Sequence, residues 1–199
     1  LTTCTFQSSS TSLFASLSYR LVNAMTTSQV AALTTGQVAS ITTAQVAQLG
    51  TAQVAALTST QARALETADL TTLNSSQVQA LTTAAVANLS TAQVKALTTD
   101  QVVALTTDQV RSLTTGQLIG LNSDQLAAME TQDIAALKTN QVAALSTAQI
   151  VQGLTATQAA ALTTAQIAGL TTNQAASLTT DQVIALTTAQ AATLTTAQV

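Results

Sequence analysis

Histidine, proline and tryptophan are absent from this 199-residue chain, and it holds a single cysteine. Without histidine, and with the lone thiol of Cys4, a transition-metal site or a Cys/His nucleophile cannot be assembled within the chain. One cysteine cannot close an internal disulfide, so Cys4 reads as an inert small residue, with a link to another chain as the alternative. Charge is scarce as well. Charged residues make up 7% and the net charge is −3, against roughly 25% charged residues in ordinary domains. Five basic residues cannot form a nucleic-acid footprint. No run of about 18 apolar residues occurs, which excludes a membrane-spanning helix. Nor is there a Gly-rich phosphate loop. At 47% hydrophobic the chain still carries too much apolar surface for the charge-rich disordered class. It opens on Leu1 rather than Met, as a processed product would once its export signal was removed.

What the sequence does have is a period of eight. Large aliphatics stand at Met25, Leu33, Ile41, Leu49 and every eighth residue to Leu145, then resume at Leu154 and continue to Leu194. One nine-residue unit, 145–153, carries the extra residue near Gly153. Written from the large aliphatic, the unit is L-T-T-x-Q-V-A-A. Position 1 is Leu, Ile or Met, and position 6 is aliphatic throughout. Position 3 is Thr or Ser from Met25 onward except at Ala156. Position 5 is Gln except at Asp69, Ala85 and Asp133. Position 7 admits Arg63, Lys95, Val103, Arg111 and Ile119, a tolerance that reads as solvent exposure. Residues 1–24 keep the register in degenerate, Ser-rich form, with Leu1 and Leu17 at position 1 and Phe6, Phe14 and Val22 at position 6. We therefore divide the chain into an N-terminal cap or subunit joint, 1–24, and an octapeptide-repeat solenoid, 25–199, because terminal repeats of a solenoid diverge to cover an open end.

An uninterrupted α-helix is excluded, because eight residues at about 100° each rotate the apolar stripe by roughly 80° per unit. Each unit must bend, and Thr-Thr, weak in helices and strong at N-caps, is the expected bend. Thr-x-x-Gln from position 2 to position 5 matches a capping box, while the stricter hydroxyl at position 3 leaves that residue open as the cap. Asp100, Asp108, Asp124 and Asp181 sit at position 4 and Arg63, Lys95 and Arg111 at position 7, the segregation a helix dipole favours. The predicted fold is all-α, a solenoid of helices of one to two turns, one per octapeptide, with positions 1 and 6 as the core. The alternative is a β-solenoid with Thr and Gln ladders. Against it stand Ala-Ala, poor in strands, and the opposite parity of positions 1 and 6.

Units such as Leu105-Thr106-Thr107-Asp108-Gln109-Val110 and Leu186-Thr187-Thr188-Ala189-Gln190 resemble the LTTAQVAAL-type octapeptide arrays of large bacterial surface proteins, of the adhesin or haemagglutinin-like kind. The resemblance covers nearly the whole chain from Met25. It implies an exported bacterial protein, extracellular or on the cell surface, and brings no catalytic residues with it.

These readings converge on a non-enzymatic structural protein without a cofactor, forming a filament, fibre or stalk by stacking repeats and joining end to end with copies of itself. The alternative function is a spacer or ligand-binding array of a surface adhesin. For the joint, the candidates are Phe6, Leu13, Phe14, Leu17 and Tyr19, which include all three aromatic residues, facing Leu194 and Val199 of the unmodified last repeats. The recurrent Thr and Ser hydroxyls also offer attachment points for glycans, with helix capping as their default role. Two acidic pairs, Glu66/Asp69 and Glu130/Asp133, read as replacements of the Thr and Gln of the capping box, with a weak calcium site as the other reading.

Overall fold

The computed structural model describes residues 11–198, without the side chains of Leu13, Phe14 and Tyr19. Among these residues every element is a helix and there is no strand, which removes the β-solenoid alternative. Each octapeptide makes one helix of four to six residues, such as Thr99–Ala104 or Thr107–Ser112. The chain divides into two compact units, Leu1–Leu105 and Thr106–Val199.

Residues at positions 1 and 2 are extended and those from position 3 onward are helical. Leu105 has φ −60°, ψ 134°, and Thr106 has φ −72°, ψ 157°. The bend therefore lies at Leu-Thr, one residue ahead of the Thr-Thr expected. The first Thr is the N-cap and the second begins the helix. Each helix closes when the N–H of the next position-1 residue reaches back three residues, as Leu105 N–H donates to Val102 O at 3.2 Å. No described residue has positive φ, so the turn needs neither glycine nor asparagine.

Such helices are far shorter than the dozen or so residues at which isolated helices persist in water. They are held by coiling. In the first unit Thr11–Ala15 packs on Thr35–Ala39, Tyr19–Asn23 on Thr43–Val46, and Thr35–Ala39 in turn on Ser59–Ala64. In the second, Thr107–Ser112 packs on Thr131–Ala136, and Thr164–Ala168 on Thr188–Ala191. Each helix thus meets the one three places on, so each unit is a helical-repeat solenoid with about three octapeptides per coil. The degenerate segment, where described, follows the same plan. Its Val22 is fully buried.

Position 6 is at most 1% exposed from Val22 to Ile167, and position 1 is 3–7% exposed from Met25 to Leu170. Each Val, Leu, Ile or Met among them contributes about 1.5–3 kcal/mol by leaving water. Position 8 is small because coils touch there. A Cβ on Gly169 would lie 2.2 Å from the Thr139 methyl, which belongs to the preceding coil.

The nine-residue unit is accommodated by a π-helix, Gln149–Gly153, in which the N–H of Leu154 donates to Gln149 O at 3.1 Å, five residues back. One extra residue widens one helical turn and leaves the flanking units in register. Gly153 makes this possible through its size. A Cβ there would stand 2.8 Å from Leu126 Cδ2 and 3.2 Å from its Cβ, and Leu126 is fully buried. Gly153→Ala should therefore destabilise the protein by about 1–3 kcal/mol through overpacking, measured as a lowered midpoint in urea. An unchanged midpoint would show that the bulge has slack.

Candidate functional site

The feature that recurs in every coil is the side chain at position 5. Gln37, Gln101, Gln117, Gln141 and Gln166 are typical, all within 1–3% of full burial. Two sets of bonds hold this side chain, and the first is local. Thr98 N–H donates to Gln101 Oε1 at 3.0 Å, and Gln101 N–H donates to Thr98 Oγ1 at 3.2 Å. This is the capping box, and it places the cap at position 2. At Gly50 and Lys138 the cap residue offers no side-chain acceptor, yet the Gln half persists. Gly50 N–H donates to Gln53 Oε1 at 2.8 Å and Lys138 N–H to Gln141 Oε1 at 2.6 Å.

The second set crosses to the preceding coil. Gln61 Nε2 donates to Val30 O at 2.9 Å and Leu33 O at 2.8 Å, with Ala31 O at 3.3 Å. Gln101 Nε2 donates to Leu70 O at 2.7 Å and Leu73 O at 2.8 Å. In the second unit Gln166 reaches Ile134 O at 3.0 Å and Leu137 O at 2.7 Å. The acceptors are carbonyls at the end of one helix and in the turn after it, 28 and 31 residues back, which the helix itself leaves without donors. Where the inserted residue intervenes, the spacing lengthens to 29 and 32, as for Gln158 with Met129 and Leu126. Gln182, which bonds Ile150 at 32 and Leu154 at 28, brackets the insertion between those two residues.

Three positions break the pattern. Ala85 keeps the backbone half of the box, its N–H donating to Thr82 Oγ1 at 3.1 Å. Asp133 lies buried and accepts from the Thr107 hydroxyl at 2.7 Å. Burial raises its carboxyl above the usual carboxylate range, the Thr107 bond partly offsets this, and Glu130 adds to the rise. Asp69 is raised too, by burial first and then by Glu66. Its Oδ2 has no hydrogen-bond partner. No group of three or more His, Cys, Asp or Glu converges among the described residues. A shallow cleft of about 520 Å³ opens between coils beside Met129, Glu130, Gln132, Thr155 and Thr157.

The candidate joint residues fall at the two ends. Phe6 and Val199 lie outside the described residues, as does Cys4. Leu13, Phe14 and Tyr19 stand on the helices Thr11–Ala15 and Tyr19–Asn23. Leu17 is half-buried between those helices, and its carbonyl accepts from Gln45 Nε2 at 2.7 Å. In the second unit Leu194 is half-buried, and so are Leu178 and Leu186. Val183, at position 6, is 52% exposed, in contrast to the buried position 6 of the body, and Ile184, at position 7, is 76% exposed. No helix is long and apolar enough to cross a membrane among the described residues.

The structure therefore defines a class, octapeptide-repeat helical solenoids cross-linked by a buried glutamine. The ALTTAQ repeat family matches six overlapping stretches that together span residues 36–115 and 126–188. The chain belongs to that family. No curated protein and no solved structure matches it.

Two outcomes test this site. Gln101→Glu keeps the capping acceptor but turns an oxygen toward the Leu70 and Leu73 carbonyls. It should cost about 2–4 kcal/mol at pH 7, with Gln101→Met less harmful and the Glu variant partly recovering at acid pH, as read by denaturant unfolding. Asp133, with its carboxyl raised on folding, favours the folded state while protonated and loses that contribution as pH rises through its raised value. Stability should thus climb on acidification from pH 7 towards the carboxylate range, and climb less in Asp133→Gln. Parallel pH profiles for the two proteins would refute the assignment.

Proposed function

We propose that this chain is a non-catalytic structural element of an exported bacterial surface fibre or stalk, lengthened by joining copies end to end. The observation that carries this reading is uniformity: coil after coil repeats the same buried Leu/Val edge and the same glutamine amide donated to the coil before it. An octapeptide coil of another copy carries the same parts, a Val/Leu edge and a Gln amide. A head-to-tail contact between two different surfaces does not close on itself and grows linearly. The bulky segment 1–24, with Phe6, Leu13, Phe14, Leu17 and Tyr19, supplies the opposing face, and Leu194 and Val199 belong to the receiving one. Mostly Ala at position 7, the exposed side suits packing and spacing better than the varied surface a ligand reader needs.

Purified protein should form unbranched filaments under negative-stain electron microscopy. Removing residues 1–24 should abolish them. Filaments of undiminished length from the truncated protein would sink the proposal.

A further inference from the structure

Asp69 occupies the place of a cross-linking glutamine, and it is 2% exposed. Its helix, Thr67–Leu70, packs on Thr43–Val46, one coil earlier, so the register is intact. Its Oδ2 is buried and has no hydrogen-bond partner. By the 28- and 31-residue spacing, the acceptors that this position serves are the carbonyls of Ile41 and Val38. Their counterparts Leu33, Leu49, Leu65 and Leu73 each accept from a glutamine at 2.8 Å. At position 69 oxygen therefore faces oxygen.

We infer that Asp69, Glu66 and the carbonyls of the 38–41 turn form a binding site for a hard divalent cation, calcium. Length separates this occupant from a proton. Aspartate is one methylene, about 1.5 Å, shorter than glutamine. With the backbone placed alike, a carboxylate oxygen falls about 1.5 Å short of the place from which a glutamine amide meets its carbonyl at 2.8 Å. The separation this leaves is too wide for an O–H···O bond, and it suits an ion about 2.4 Å from each oxygen. The donor set is all oxygen, with carboxylate and carbonyl mixed as calcium prefers over softer metals. Charge agrees, since Glu66 and Asp69 repel one another unless two positive charges lie between them. The sequence couples the two changes. Asp replaces Gln at position 5 only at 69 and 133, and Glu replaces Thr at position 2 only at 66 and 130. At the second pair the Thr107 hydroxyl already satisfies Asp133, so the site is assigned to the first pair alone. Glu66 is exposed, so water completes the shell and the affinity is weak, on the order of 10⁻⁴–10⁻³ M.

The test is thermal melting of the full chain in chelator-treated buffer, with about 5 mM calcium chloride against sodium chloride of equal ionic strength. Calcium should raise the midpoint of the unchanged protein by about 2–4 °C. Asp69→Gln restores the common residue, so it should melt higher than the parent without calcium and lose the response to it. Glu66→Thr leaves the buried group in place and should weaken the response, while Asp133→Gln should retain it in full. Absence of a calcium shift in the parent would overturn the proposal, as would an undiminished shift in Asp69→Gln. Isothermal titration with calcium chloride alone reads the same site directly, and no heat above dilution up to several millimolar would also overturn it.

Discussion

The amide at position 5 is used at both ends. Its oxygen accepts the N–H of the cap residue, which sets where a helix starts, and its nitrogen donates to two carbonyls left over where a helix of the preceding coil stops. A helix of six residues spends a large share of its backbone groups on its ends, and in a chain of such helices the ends are never more than a few residues apart. Water would satisfy them on a surface. Here they lie beside fully buried Val and Leu side chains, so protein must satisfy them, and a buried amide with both donors and its acceptor engaged does so without introducing charge.

Much of the composition follows from that constraint. The helices need no glycine at their ends, because the turn is made from extended Leu and Thr and its carbonyls are capped from the next coil. They need few charges, because the polar groups that matter are inside and neutral. The inserted residue shows how tightly the register is held. A π-helix takes up the extra residue between Ile150 and Leu154, and the glutamines that reach back across it keep their partners by lengthening their reach in sequence by one.

A unit of this kind can be repeated without limit, since each coil presents to the next the same edge it received. That property favours length over chemistry and supports the reading of the array as a fibre or stalk. It also gives meaning to the places where the rule is broken. Position 7, on the solvent side, admits Arg, Lys, Val and Ile, whereas a change at position 5 alters the bonds across a whole coil junction, as Asp69 and Asp133 do.

How much of this was legible beforehand differs from position to position. The eight-residue period, the helical state of each unit and the burial of positions 1 and 6 followed from the sequence, because they depend on rotation per residue and on apolar spacing within one unit. The capping box was legible as a pattern, but Thr-Thr left two candidates for the cap, and only backbone dihedrals chose the first. The amide cross-link was not read, for a physical reason: its partners are backbone carbonyls about thirty residues away, and a carbonyl has no side-chain signature. One sign was available. A capping box accepts Glu as readily as Gln, yet Glu never stands at position 5, so something there required a donor. The number of helices per coil and the π-helix that takes up the extra residue at Gly153 were decided by tertiary packing alone. Each depends on the angle between neighbouring helices, and that angle is set by what the coils touch, not by any residue taken singly.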